Sequence, residues 1–184
     1  MSKFKFTPTG IEGMTVIEPT VFGDQRGYFM ETYQRDEFAA AELPVEYVQE
    51  NQSKSVKGVL RGLHFQRRSP QGKLVGAISG EVYDVGVDLR KGSATFGKHF
   101  GIILSAENKL QLYVPEGLAH GFLVLSDTAE FRYKCTRLYD PADEGGLLWN
   151  DPELGIDWPL HGIDVSLSEK DRTLPLLKNL GWLF

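Results

Sequence analysis

Residues 58–73, GVLRGLHFQRRSPQGK, place Arg61, His64 and Lys73 within an otherwise strand-like run. In a regular strand, residues three positions apart point to opposite faces, so Arg61 and His64 could not both face one cavity. Gly62 lies between them, and a glycine inside a strand often marks a β-bulge that re-aims a side chain. Two interpretations stay open here: an active-site strand bulged at Gly62, or a plain strand with a half-buried histidine and a solvated arginine.

The segments around this stretch predict further strands. Strand candidates are residues 14–22, 27–33, 45–53, 73–78, 80–89, 100–104, 110–114 and 130–138, with turn signals such as Gly23-Asp24 between them. Within 80–89 the apolar residues at odd positions share one face, and Asp84 and Asp88 fall on the other. One short helix is predicted over 36–42, with Asp36 as its N-cap. Many short strands with turn-rich connections indicate an all-β sandwich or barrel with a few short helices.

Length and composition indicate a single globular domain. The chain has 184 residues, of which 41% are hydrophobic and 24% charged, and domains commonly hold roughly 100–200 residues. A net charge of -5 argues against non-specific nucleic-acid binding, which needs a basic surface. An anionic ligand would need a local basic site, for which Arg26, Arg61 and Lys73 are candidates.

The targeting signals and the cysteine content favour a cytoplasmic protein. The first ten residues lack the apolar core of a signal peptide, and no apolar run approaches the ~20 residues of a membrane span. Cys135 is the only cysteine, which excludes an internal disulfide and a multi-cysteine metal site. It alternates with Phe131 and Tyr133, which favours a strand residue over a nucleophile.

Two polar pairs each allow a structural and a functional interpretation. Gln49 and Asn51 share one strand face, which fits either the wet face of an edge strand or a binding wall. Ser168 and Asp171 have the spacing of a helix capping box, so Asp171 either closes a helix start or acts in a site.

One motif resembles the cupin family of jelly-roll proteins. Residues 115–120, PEGLAH, have the Pro-x-Gly-x-x-His spacing of the second cupin signature. In metal-binding cupins an earlier strand supplies His-x-His and a nearby Glu, a set suited to Fe, Mn or Ni. Here the matching place reads His64-Phe65-Gln66, so the second ligand is missing. The resemblance therefore implies a jelly roll with a metal-free cavity and no cofactor.

Longer motifs resemble one family in particular, the dTDP-4-dehydrorhamnose 3,5-epimerases. They are residues 23–29 (GDQRGYF), 49–53 (QENQS), 58–64 (GVLRGLH), 72–75 (GKLV), 149–152 (WNDP) and 167–171 (LSEKD). The likeness spans roughly residues 10 to 175. It implies an isomerase of dTDP-L-rhamnose synthesis that converts dTDP-4-dehydro-6-deoxy-D-glucose to dTDP-4-dehydro-L-rhamnose.

The resemblance also implies roles for four catalytic residues. The C4 ketone of that substrate acidifies the hydrogens on C3 and C5, so inversion needs a base on one face and an acid on the other. His64 would be the base, Asp171 would orient it, and Tyr133 would return the proton from the opposite face. Lys73 would stabilise charge on the C4 oxygen.

The substrate-binding set and the partners follow from the same resemblance. Residues implied in nucleotide-sugar binding are Phe22, Arg26, Glu31, Gln49, Asn51, Arg61, His120, Tyr139, Glu144 and Lys170, with Tyr139 stacking on the thymine. The role of His120 stays open between substrate binding and satisfying buried polar groups. The expected protein is a cytoplasmic homodimer with no membrane or nucleic-acid partner. Residues 1–184 would form one domain, with the N-terminal strands exchanged with the partner and the segment 149–184 packed around the barrel.

Three alternatives stay open on sequence alone. A related enzyme could invert only C3 or only C5 with the same base and acid. A metal-dependent cupin oxygenase is disfavoured by the missing second histidine. A non-catalytic sugar-nucleotide-binding module is disfavoured by His64, Tyr133 and Asp171 occurring together. The number of carbons inverted and the preference among sugars and nucleotides are not determined by the sequence.

Overall fold

Short strands form most of the regular structure in the computed structural model, which describes residues 2–181 and 184. The strands are β1 Phe4–Pro8, β2 Thr15–Pro19, β3 Val21–Asp24, β4 Gly27–Met30, β5 Gln49–Val56, β6 Leu60–Gln66, β7 Lys73–Ser79, β8 Glu81–Asp88, β9 His99–Ser105, β10 Gln111–Val114, β11 Leu118–Val124, β12 Thr128–Cys135 and β13 Glu144–Gly146. The helices are α1 Arg35–Ala40, α2 Glu169–Arg172 and a 3-10 turn at Leu177–Asn179. None of the described helices is long and apolar enough to cross a membrane.

The strands are arranged in two large sheets and one hairpin. A six-stranded sheet has the order β1-β2-β10-β7-β12-β5, and a five-stranded sheet has the order β13-β6-β11-β8-β9. Within residues 2–181 and 184, strands β3 and β4 pair only with each other. The main core lies between the two sheets, where Val75, Leu112 and Phe131 of the first meet Val82 and Phe122 of the second. The prediction of an all-β sandwich with short helices is confirmed.

Strand β8 is buried on both faces. Its apolar side carries Val85 and Val87, and this side packs away from the sheet interface against Trp158 and its neighbours in the C-terminal segment. Its other side carries the fully buried Asp84. The polar side of β8 is therefore the one that faces the interior between the sheets.

The C-terminal segment covers the outer face of the five-stranded sheet. Residues of this segment in the second apolar cluster include Trp149, Leu154, Trp158 and Leu167. Ser166 also hydrogen-bonds to the strand-forming stretch, since the Leu60 N–H donates to its carbonyl at 3.0 Å. Residues 182 and 183 of the predicted segment 149–184, like residue 1, lie outside the described residues.

Two local predictions were wrong. Helix α1 is capped by Gln34, whose side-chain oxygen accepts from the Glu37 N–H, so Asp36 lies inside the first turn and is not the N-cap. The turn expected at Gly23-Asp24 is one step later, because both residues belong to β3 and the chain reverses at residues 25–26. The reason is that the Asp24 carboxylate accepts from the Arg26 N–H at 2.8 Å, an Asx-type turn that follows the aspartate.

Candidate active site

Strand β6 is bulged at Gly62, as the first interpretation of this stretch predicted. His64 pairs with His120 of β11 and Arg61 pairs with Phe122, so two residues of β6 oppose Gly121 alone. Gly62 has a φ of +113°, and a Cβ there would lie 2.6 Å from the His120 carbonyl oxygen. Only glycine fits this backbone. The extra residue shifts the alternation, so Arg61 and His64 line the same cavity of about 460 Å³.

His64 and Asp171 form a close pair in that cavity. His64 Nε2 lies 2.5 Å from Asp171 Oδ1, although the residues belong to β6 and α2. Burial alone would raise the pKa of Asp171, but the hydrogen bond and charge of His64, with Ser168 and Lys170, lower it below its usual value. The carboxylate is therefore ionised and can accept a hydrogen bond from His64 Nε2, and this contact leaves Nδ1 uncovered by Asp171.

Asp171 is also part of a helix cap, so its two interpretations are compatible. The Ser168 hydroxyl accepts from the Asp171 N–H at 3.1 Å and donates to Asp171 Oδ2 at 2.8 Å. Asp171 uses its other oxygen for His64. The cap fixes the carboxylate that contacts the imidazole.

Tyr133 and Lys73 enter the same cavity from the opposite sheet. They lie on the neighbouring strands β12 and β7, where Cys135 pairs with Lys73 and Tyr133 with Val75. Burial and the nearby Cys135 raise the pKa of Tyr133, although Arg61 partly offsets this. Burial lowers the pKa of Lys73. Within the described residues, neither the tyrosine hydroxyl nor the lysine ammonium has a hydrogen-bond partner, so both are available to a ligand.

His120 is held by a carboxylate that the sequence analysis did not select. Its Nε2 lies 2.9 and 3.0 Å from the two oxygens of Asp84, and both residues are buried. In the sequence, Asp84 is distinguished only by its position on the polar side of its strand. The motif around His120 gave no indication of this partner, because β8 is distant in sequence and the inward side of β8 could not be identified.

A second cavity of about 340 Å³ shares five lining residues with the first and extends it towards the β12–β13 connection. The shared residues are Arg61, His64, Lys73, Tyr133 and Lys170. The further predicted residues that line the second cavity are Gln49, Asn51, Tyr139 and Glu144. Strand β5 is an edge strand, yet its polar face forms this wall, so both interpretations of Gln49 and Asn51 hold. Their side chains are joined, since Gln49 Nε2 donates to Asn51 Oδ1 at 3.0 Å.

Glu144 connects the two cavities electrostatically. Its carboxylate accepts from Lys170 Nζ at 2.8 Å and from the Tyr139 hydroxyl at 2.9 Å, and it lies 3.8 Å from His64 Nδ1. Burial acts to raise the pKa of Glu144, but these donors and the His64 charge lower it overall. An ionised Glu144 therefore places a carboxylate near His64 Nδ1, as Asp171 does near Nε2.

Three predicted binding residues are not brought to these cavities within the described chain. Arg26 is at the tip of the β3–β4 hairpin, with its side chain 85% exposed and paired with Asp24 at 2.6 Å. Phe22 of the same hairpin is 50% exposed. Glu31 follows β4 and pairs with Lys3.

The described residues contain no group of three or more His, Cys, Asp or Glu side chains placed to hold a metal ion. At the position where metal-binding cupins would carry a second histidine, the Gln66 amide is directed at the backbone of nearby loops. The side chains that do line the cavity include His64, Arg61 and Lys73, which are suited to proton transfer and anion binding.

Comparison with known proteins identifies close relatives over almost the full length. The family model described as dTDP-4-dehydrorhamnose 3,5-epimerase matches residues 8–179. The enzyme of that name from Methanothermobacter thermautotrophicus is 54% identical over 97% of this chain and 98% of its own length. The one from Pseudomonas aeruginosa is 56% identical over 91% of this chain and 93% of its own.

A solved structure of similar sequence contains a bound sugar nucleotide. The dTDP-6-deoxy-D-glucose-3,5-epimerase of Legionella pneumophila, in complex with dTDP-4-keto-L-rhamnose, superposes with a TM-score of 0.93 at 48% identity, covering 96% of this chain and 94% of that one. The prediction of a cupin-like jelly roll is confirmed by this likeness.

Proposed function

Because this chain belongs to the dTDP-4-dehydrorhamnose 3,5-epimerase family, we propose that it inverts C3 and C5 of dTDP-4-dehydro-6-deoxy-D-glucose without a cofactor. The protein is an isomerase whose substrate is a nucleotide sugar. The observation that carries the mechanism is the position of His64 and Tyr133 on opposite sheets, lining one cavity. We also place the enzyme in the cytoplasm, since such a substrate is a soluble metabolite.

His64 is the base in this mechanism. Its Nδ1 takes the hydrogen from the carbon beside the ketone, and the new positive charge is stabilised by Asp171 and Glu144. A histidine suits this step because its ordinary pKa lies near neutral pH. Lys73 donates to the C4 oxygen, where negative charge develops in the enolate-like transition state.

Tyr133 is the acid on the other side of the sugar. Because burial raises its pKa, the phenol keeps its proton at neutral pH and can return it to the enolate. Delivery from the face opposite His64 is what inverts the carbon. The same two residues serve both carbons if the sugar shifts between two rounds and solvent resets the pair, taking the proton from His64 and returning one to Tyr133.

The second cavity is proposed to hold the nucleotide. The permanently charged guanidinium of Arg61 and the ammonium of Lys170 suit a diphosphate, and the Arg61 guanidinium is oriented by a 3.1 Å hydrogen bond to Ser55. Tyr139 offers a half-exposed ring for stacking on thymine. Gln49, Asn51 and His120 supply polar contacts to the remainder of the ligand.

Product analysis tests this function directly. The protein is incubated with dTDP-4-dehydro-6-deoxy-D-glucose, and the product is identified by NMR. Inversion at both C3 and C5 is expected. A product inverted at one carbon would assign the protein to the single-carbon epimerases, and unchanged substrate would refute the proposal.

Lys73 is expected to set the alkaline limit of activity. Burial lowers its pKa, although Cys135, Glu144 and Asp84 partly offset this, so it loses its proton at a lower pH than an ordinary lysine of pKa ~10.4. Activity should fall as the pH rises through that lowered pKa. Tyr133 cannot cause the fall, because its pKa is raised. In Lys73→Arg, the residual kcat/KM should no longer fall over this alkaline pH range. An unchanged fall would show that another group causes it.

We propose that the protein is a homodimer in which each β3–β4 hairpin reaches the partner's cavity. The hairpin pairs with no other strand in the part of its own chain that the structure describes. Its large apolar side chains are 41–64% exposed, namely Val21, Phe22, Tyr28 and Phe29. Arg26 and Phe22 would then contact the nucleotide sugar bound by the partner subunit. Glu31 would lie near the root of the exchanged hairpin.

Co-expression of two inactive variants tests the shared site. His64→Asn and Arg26→Ala chains are produced together, and mixed dimers then contain one intact site if Arg26 acts on the partner. Random pairing should restore about a quarter of the wild-type activity, because half of the dimers are mixed and each has one of two sites intact. If Arg26 acts within its own chain, no mixed dimer is active and the mixture stays inactive.

A further inference from the structure

Gln66 ends β6 with a buried side chain whose hydrogen-bonding groups are all used on loop backbone. It is 3% exposed. Its Nε2 donates to the carbonyls of Ser69 at 2.7 Å and Leu138 at 3.3 Å, and its Oε1 accepts from the Asp140 N–H at 2.6 Å. The partners fix which end of the amide is which. Gln66 therefore binds the chain immediately before and immediately after Tyr139.

The connection between β12 and β13 depends on such side-chain contacts. Residues 136–143 form no strand or helix. At its centre, the Tyr139 N–H donates to Gln49 Oε1 at 2.8 Å and its hydroxyl donates to Glu144. Glu144 is itself the cross-strand partner of Gln66. Without the Gln66 amide, the Leu138 carbonyl and the Asp140 N–H lose their hydrogen-bond partner. Exposing these two groups to water is then the least costly way, in free energy, to restore their hydrogen bonds.

We infer that Gln66 is a positioning residue that holds the Tyr139 ring in place for the nucleotide base. This inference rests on the proposed function, because it takes the second cavity as the nucleotide site. It also accounts for the glutamine at the position where metal-binding cupins would carry a histidine. The glutamine amide donates to two carbonyls and accepts from one N–H at the same time. A neutral imidazole has only one donor and one acceptor, so a histidine there could not make all three hydrogen bonds.

The expected consequence is a loss of nucleotide affinity without a matching loss of turnover. Among the described residues, no hydrogen bond joins the Gln66 amide to His64 or Asp171, so proton transfer should continue once the substrate is bound. Stacking of a base on an aromatic ring is worth enough to change affinity by about tenfold. A raised KM with nearly unchanged kcat is the pattern of a residue that acts through binding alone.

The test measures dTDP binding by calorimetry in Gln66→Met, Tyr139→Ala and the double variant. Gln66→Met should weaken dTDP binding about tenfold and raise KM by a similar factor, with kcat within about twofold of wild type. In the Tyr139→Ala background the same change should have little further effect, since the ring that it positions is gone. If Gln66→Met does not fold, Gln66→Glu replaces it in the test. Gln66→Glu keeps the acceptor for the Asp140 N–H but loses the donors, so its dTDP affinity should lie between that of the wild type and the loss of about tenfold expected for Gln66→Met.

Asn108 provides a matched control for general loss of a loop contact. Its side-chain amide accepts from the Ser105 N–H and donates to the Ile103 carbonyl, outside both cavities. Asn108→Leu should lower the melting temperature and leave dTDP binding unchanged. The inference is overturned if Gln66→Met also lowers only the melting temperature, or if its effect on dTDP binding persists undiminished without Tyr139. Wild-type protein that binds dTDP but does not epimerise would instead refute the proposed function and leave the Gln66 test valid.

Discussion

Tyr133→Phe should separate hydrogen exchange from inversion. The substitution keeps the ring and most of its packing against Phe131 but removes the proton donor opposite His64. His64 can still take a proton from the sugar and, after exchange with solvent, return it to the same face. In D2O the variant should therefore incorporate deuterium into the substrate while forming little epimerised product.

A core tyrosine would behave differently, and Tyr47→Phe shows what to expect of one. Burial raises the pKa of Tyr47 as it does that of Tyr133, but the Tyr47 hydroxyl is buried without a partner among the described residues and lies outside the cavities. Its removal should leave both exchange and inversion unchanged. Near-parental inversion by Tyr133→Phe would contradict the assignment of Tyr133 as the acid. Loss of exchange together with inversion would mean that Tyr133 assists the first proton removal.

Asp171→Asn should lower turnover on the order of a hundredfold or more. The neutral amide is nearly the same size, so the fold is kept, but the imidazolium of His64 loses the charge 2.5 Å from its Nε2. The amide can also present its NH2 group to Nε2, which favours the tautomer with Nδ1 protonated and unable to act as a base. Turnover and melting temperature are measured on the same variant.

Ser168→Ala is the matched control for the helix-cap role of Asp171. It removes the cap of α2 and one hydrogen bond to the carboxylate, and loss of an N-cap costs about 1 kcal/mol of stability. Ser168→Ala should lower the melting temperature and leave turnover nearly unchanged. Asp171→Asn should lower turnover strongly and leave the melting temperature nearly unchanged. If both variants lose only stability, Asp171 is a cap residue and another group must support His64.

The site could be predicted where a single strand determines which way its residues face. The alternation of β12 placed Tyr133 with Phe131 and Cys135, and Gly62 between Arg61 and His64 indicated the bulge that brings those two side chains into one cavity. Both inferences use only the two-residue period of a strand and the conformational freedom of glycine. Assigning chemical roles to these residues required the family motifs as well.

Features that depend on pairing between distant segments could not be predicted. The sequence distinguishes an apolar from a polar side of β8 but not which side faces the other sheet. The apolar side packs on Trp158 of the C-terminal segment, and the polar side holds Asp84 against His120. The sequence indicates for Gln66 only that a metal ligand is missing, because Leu138 and Asp140, two of its three hydrogen-bond partners, lie 72 and 74 positions away along the chain. The alternation within a strand shows that its two faces differ. It does not show which part of the chain packs against each face.

The most direct test of the central claim is to incubate the wild-type protein with dTDP-4-dehydro-6-deoxy-D-glucose in D2O and to follow C3 and C5 by NMR. His64 removes a proton beside the C4 ketone and Tyr133 delivers a different one, which has exchanged with solvent, so the account predicts deuterium at both carbons of the inverted product. Absence of deuterium from both carbons would contradict the account.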